Sequence, residues 1–188
     1  ENRLTPALVK QLFPESTGRD QAIGEPPIAS VLSDNMVIGY LFSTHETVRP
    51  AGYSGNSFDI VIGLRTDGVI VGHELLEEHE PLISDGMIGP KKFELFLNGL
   101  NGFKVGTSQP IKQRAIKKGP QYLKEYENMD AVSGATISAL AMHRAIINSA
   151  LRVGHLNNII DGENEALALD LFSYEQKSWS DLINEKSI

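Results

Sequence analysis

Apolar and polar residues recur along this chain with two different periods, and the places where the period changes outline its elements. Residues 4–13 have apolar side chains at helical spacing, Thr5 stands before Pro6 as a cap and first-turn proline, and Pro14 is a stop, so a short leading helix is expected. Two β-rich runs follow, 28–33 and 36–43, joined by Asp34-Asn35, a pair that tolerates the left-handed backbone of a tight hairpin. A second hairpin pairs 57–65 with 69–76 around Thr66-Asp67-Gly68. Gly, Pro and charge make 77–90 a loop, and 91–100 reads as a helix stopped near Gly102. From 133 to 153 the pattern is helical with two apolar stripes, Ile137, Leu140, Ile147 and Leu151 beside Ala139, Met142, Ile146 and Val153, which predicts a largely buried helix stopped by Gly154. One or two polar-faced helices are expected over 163–183.

Strands gathered before helices predict an α+β fold, a twisted and mainly antiparallel sheet packed against helices. The expected division is a helix and lead-in at 1–27, a core at 28–154 and a helical extension at 155–188. A length of 188 residues suits one domain, and 41% apolar residues suffice for a core without cross-links.

Charge and cysteine narrow the function classes. With no cysteine, the chain has no disulfide, thiolate metal site, iron–sulfur ligand or cysteine nucleophile, so redox chemistry requires a bound cofactor. The same absence suits an oxidising compartment. A formal charge of −7 argues against nucleic acid, whose phosphates call for clustered Lys and Arg. No run approaches the roughly 20 apolar residues that cross a bilayer, and the opening Glu-Asn-Arg-Leu-Thr-Pro lacks the pattern of a signal peptide. A soluble piece of a larger membrane protein is expected.

The stretch that invites chemistry is Asp130-Ala131-Val132-Ser133-Gly134-Ala135-Thr136-Ile137-Ser138, at the entrance to the predicted buried helix. Gly134 and Ala135 leave room for a ligand at the backbone. The first amides of a helix lack internal partners and sit at the positive end of its dipole, so a phosphate docked there gains hydrogen bonds and attraction. Spacing alone also fits plain capping, the commoner use of Ser and Thr before a helix.

Asp130, Ser133-Gly134-Ala135-Thr136 and Ser138 resemble the flavinylation motif of the FMN-binding domain family, shared by the G subunit of Rnf complexes, the C subunit of sodium-pumping quinone reductases and NosR. A second stretch is similar to the same family: Gly52-Tyr53-Ser54-Gly55, then 58–64, the turn at Asp67-Gly68, and 69–72. The resemblance implies FMN joined by a flavin transferase through a phosphoester to Thr136. Tyr53, Ser54, Glu80 and Leu82 are then candidates to meet the flavin, and Asp130 and Ser138 either inform the transferase or merely cap a turn and steady the first helical turn. In the Rnf and quinone-reductase subunits the loop after the second hairpin reads like Glu-Thr-Pro-Gly-Leu-Gly. Here it is Glu78-His79-Glu80-Pro81-Leu82, which favours the NosR branch.

That branch implies a periplasmic FMN domain of an inner-membrane protein whose membrane helices and iron–sulfur modules lie outside this chain. Its expected role is electron transfer supporting nitrous oxide reductase or its maturation factors in denitrification, without catalytic residues of its own. The alternatives are a redox-sensing domain governing expression of that enzyme, an FMN subunit of an Rnf or quinone-reductase complex, and a flavin-free scaffold. Phe58 is, with Tyr53, a candidate to cover a ring face, although core packing is the commoner role of both. His79 offers a group that titrates near neutrality or simply an exposed polar residue. His73 has no partner at metal-ligand spacing, and no metal is expected. Lys112, Arg114, Lys117 and Lys118 suit an acidic partner, the flavin phosphate or a solvated face, and Trp179 a junction to further domains.

Overall fold

Thr5 opens the fold: its side chain accepts from the Leu8 amide at 3.2 Å, Pro6 takes the first helical position, and α1 runs Pro6–Leu12. The computed structural model describes residues 4–52, 54–80, 97–106 and 133–160, with backbone alone for 133–137 and 140. After α1 come β1 (Gly18–Arg19), β2 (Ala29–Ser33), β3 (Met36–Ser43), α2 (Thr44–Thr47), β4 (Asp59–Arg65), β5 (Ile70–Glu77) and α3 (Ser133–Leu156).

The five strands form one sheet in chain order, β1-β2-β3-β4-β5, and every neighbouring pair is antiparallel. Both predicted hairpins are present. Asp34 and Asn35 turn β2 into β3 at φ of 49° and 65°, the left-handed pair that matches strand twist. Gly68, at φ 84°, closes β4 into β5.

A central strand covered on both faces has no reason to alternate, and β4 is buried from Asp59 to Leu64. Ile60, Ile62 and Leu64 join Ile70 and the Met142, Ile146 and Val153 side of α3 in the main core. Val61, on the other face, joins Val31, Leu41 and the Leu8, Leu12 and Phe13 side of α1. Phe13 packs against two glycines that leave room for its ring: a Cβ on Gly39 would sit 2.5 Å from its ring carbons, and one on Gly63 3.0 Å away.

Several sequence expectations change. The stop at Gly154 is absent, and α3 continues to Leu156. A Cβ at 154 would stand 2.4 Å from Ile160 Cδ1, so this glycine makes room for the chain to fold back after the helix. β5 extends to Glu77, where a loop was expected to begin. β1 and α2 were not foreseen, being two and four residues long. Gly102 does turn the chain, and its amide donates to Ile70 O at 2.8 Å. Positions 81–96 and the helices expected over 163–183 lie outside the described residues. Among the described residues no helix is long and apolar enough to cross a membrane.

Candidate functional site

Past the end of β5 the chain brings Glu80 inward, its amide donating to Glu78 Oε2 at 2.7 Å. The residue is 1% exposed. A buried carboxylate is tolerable only when hydrogen bonds replace its lost water. Ser138 donates to Oε2 at 2.5 Å, while Ser54 donates to Oε1 from its hydroxyl at 3.1 Å and its amide at 3.5 Å. One carboxylate thereby ties the early turn of α3 to the turn between α2 and β4.

That second turn is built to admit it. Gly52 donates to Asn56 O at 2.9 Å, Gly55 donates to Gly52 O at 3.1 Å, and the Ala51–Ser57 bridge closes the base. A Cβ on Gly52 would lie 1.7 Å from Glu80 Oε1, so the space that this carboxylate oxygen fills exists only because residue 52 has no side chain.

α3 is held again farther along. Thr47 and Ser149 share a hydrogen bond of 2.6 Å, and Arg152 Nη1 donates to Thr47 O at 2.5 Å. The same short α2 is fixed to the sheet, since Thr44 Oγ1 accepts from the Ile60 amide at 2.9 Å. At its start Ser43 accepts from the His45 and Glu46 amides and donates to buried Asp59. A rise of about 1.5 Å per residue puts the two attachments on α3, at 138 and 149, about 16 Å apart.

Of the sequence-derived candidates, Ser54, Glu80 and Ser138 meet in one cluster. Ser133, Gly134, Ala135 and Thr136 form the first turn of α3; their backbone is helical and their side chains lie outside the described residues. Tyr53, Leu82, Asp130, the group Lys112, Arg114, Lys117 and Lys118, and Trp179 also lie outside them. Phe58 belongs to the main core. His73 is buried on β5 opposite Ile62, and His79 is exposed with Nε2 3.2 Å from Glu77 Oε1. Gly52 was visible in sequence only as part of a glycine turn, and Thr47, Ser149 and Arg152 gave no signal at all, because each acts through a partner about a hundred residues away.

Similarity to known proteins bears on the same stretch. Residues 52–151, or 100 of 188, match the FMN-binding domain family. The chain is 28% identical to the protein NirI of Paracoccus denitrificans over 156 residues, covering 82% of this chain and 20% of NirI. It is 26% identical to the regulatory protein NosR of Stutzerimonas stutzeri over 173 residues, 89% of this chain and 22% of NosR. With the G subunit of an ion-translocating oxidoreductase complex of Yersinia pestis it shares 32% over 107 residues, 56% of this chain and 46% of that protein. The chain therefore spans about a fifth of the length of NirI and NosR. The Gly52 turn, Glu80 and Ser138 all fall inside the matched stretch, and the chain belongs to the FMN-binding domain family.

Proposed function

We propose that this chain is the FMN-carrying domain of a NosR-like membrane flavoprotein, with FMN held through a phosphoester to Thr136. The observation that carries the reading is that α3 begins at Ser133, inside the Ser-Gly-Ala-Thr run. The residues fit the group. First-turn amides supply donors for a phosphate, and Gly134 and Ala135 are small. Both Glu80 oxygens are engaged by Ser54 and Ser138, so the carboxylate is held away from the helix start rather than left to choose its own partners.

Attachment requires a hydroxyl that a flavin transferase can reach. Ser138 is fully buried and donates to Glu80, which leaves it unsuited. Positions two apart on a helix differ by about 200°, so position 136 falls on the opposite flank from 138. In the transfer, the Thr136 oxygen forms a new P–O bond and the phosphoanhydride of a flavin dinucleotide donor breaks. A nucleoside monophosphate leaves, the hydroxyl proton passes to solvent, and no electrons change hands. Bound flavin supplies an acceptor of two electrons that passes them singly. The protein supplies the attachment hydroxyl and the backbone donors of the first turn of α3.

Electron transfer supporting nitrous oxide reductase or its maturation factors, in the periplasm, is the role this reading assigns. A second reading is favoured by the name of two relatives, which are called regulatory proteins: the flavin reports redox state, and the domain signals without net electron flow. Turnover separates the two, since only a carrier is reduced by a donor and reoxidised by an acceptor in repeated cycles.

The test is co-production with an active flavin transferase, followed by intact mass and a visible spectrum on wild type and Thr136→Ala. A denaturation-resistant adduct of FMN minus water on wild type, absent in the variant, is expected. An unmodified wild type beside a transferase active on another target sinks covalent attachment.

A further inference from the structure

Resting on that reading, we infer that Glu80 is a positioning residue for flavin attachment, a latch that sets the first turn of α3 so that Thr136 is presented for modification. A buried carboxylate is a costly way to stabilise a fold, and apolar replacements often do as well or better. What it provides here is a defined geometry between segments distant in sequence. Its partners Ser54 and Ser138 lie 26 and 58 residues away along the chain.

Three observations give the latch its direction. Ser138 stands two positions after Thr136, so fixing its hydroxyl on Glu80 fixes both the rotation and the axial setting of the turn that carries the threonine. Helix ends fray unless something ties them, and the bond from Ser138 to Glu80 is such a tie, five positions into α3. The lower part of the helix needs no such help, because Met142, Ile146 and Val153 are packed in the core and Ser149 is joined to Thr47. Loss of Glu80 therefore spares the body of the fold and loosens the helix start.

Gly52 belongs to the same device. With only 1.7 Å between a Cβ at 52 and Glu80 Oε1, alanine there displaces the carboxylate and releases Ser54 and Ser138 together. The Gly52–Gly55 turn thus shapes the attachment site from across the cluster.

The test uses the full chain co-produced with an active flavin transferase, with the labelled fraction followed by intact mass over time. Wild type, Glu80→Ala, Glu80→Gln, Ser138→Ala, Gly52→Ala and Glu80→Ala/Ser138→Ala are compared. Far-UV circular dichroism reports the fold, and hydrogen exchange reports the amides of 133–138. Glu80→Ala is expected to slow labelling about tenfold, the scale of one lost hydrogen bond to a charged group, with an unchanged dichroism spectrum and faster exchange at 133–138. Glu80→Gln, whose amide can bond both serines, restores most of the rate. Ser138→Ala adds nothing to Glu80→Ala, and Gly52→Ala behaves as Glu80→Ala does; should Gly52→Ala fail to fold, the Glu80 and Ser138 series decides alone. Labelling of Glu80→Ala at the wild-type rate overturns the latch while leaving attachment at Thr136 intact, and so do additive Glu80 and Ser138 defects or a Gln variant as slow as Ala. An unlabelled wild type beside a transferase shown active elsewhere overturns attachment itself and the latch with it.

Discussion

Thr47 on α2 and Ser149 on α3 share a hydrogen bond of 2.6 Å across 102 residues of chain, and both side chains are buried. The Thr47 hydroxyl also lies 2.7 Å from Ser43 O, so it is the Ser149 hydroxyl whose burial depends on this pair. Thr47→Val strands the Ser149 hydroxyl away from water and is expected to cost about 1–3 kcal/mol, the usual penalty of an unsatisfied buried group. Because the residues share one interaction, Thr47→Val/Ser149→Ala should cost less than the two single losses together. Urea unfolding of the four proteins measures both quantities.

Gly39 and Phe13 make a second prediction. A methyl group at 39 meets the Phe13 ring at 2.5 Å and the Leu64 carbonyl at 2.7 Å, and the carbonyl belongs to a paired strand that cannot yield. Gly39→Ala is therefore expected to lose about 1–3 kcal/mol by overpacking. Phe13→Leu in the same background should recover part of that loss and no more, since the carbonyl clash stays. Thermal unfolding gives the comparison.

Removal of Thr136, the proposed attachment residue, should not move the flavin to its neighbour. In Thr136→Ala the hydroxyl of Ser138 remains buried and engaged with Glu80. Peptide mapping after co-production with the transferase should find no adduct on the peptide containing Ser138. A relocated adduct there would contradict the inward setting of that serine.

The β4–β5 turn sets a pH dependence. Arg65 grips Asp67 through Nε at 2.8 Å and Nη2 at 2.5 Å. That hydrogen bond, helped by the Val69 amide, holds the Asp67 carboxyl below its ordinary value of 3.8. A carboxyl depressed in the folded state contributes stability above its unfolded value, and the contribution disappears as pH falls through the folded value. The stability gap between wild type and Asp67→Asn should therefore be level from neutrality to about pH 5 and close in more acid solution. Both groups are nearly half exposed, so the gap is small and shrinks with added salt. Urea titrations across pH follow it.

What could be read from the sequence was what is local. Asp34-Asn35 and Thr66-Asp67-Gly68 announce their turns because the backbone angles they require are properties of the residues themselves. The α3 helix was legible from its apolar stripes, and Ser54, Glu80 and Ser138 were each singled out by family resemblance. Their union on one carboxylate was not, since nothing along the chain reports a contact made 58 residues away. Gly154 misled for the same reason: a glycine near a helix end ordinarily signals a stop, and here its purpose lies in Ile160, which occupies the place of a side chain. Two residues of β1 and four of α2 are too few for periodicity to register, and they exist because the sheet and α3 hold them.

The order β1-β2-β3-β4-β5 has a temporal consequence. When each strand pairs with its neighbour in the chain, the loops to be closed are short and their entropic cost is small. The sheet can assemble before residue 133 has been synthesised, whereas docking of α3 waits for the chain beyond the 97–106 segment, which is itself hydrogen-bonded to Ile70 of β5. Folding is then expected to follow a sequence, in which the meander forms first and α3 completes the cover over Ile60, Ile62 and Leu64 last. Pulse-labelled hydrogen exchange during refolding should protect amides of β3 and β4 before those of 139–153; simultaneous protection would mean that sheet and helix form in one step.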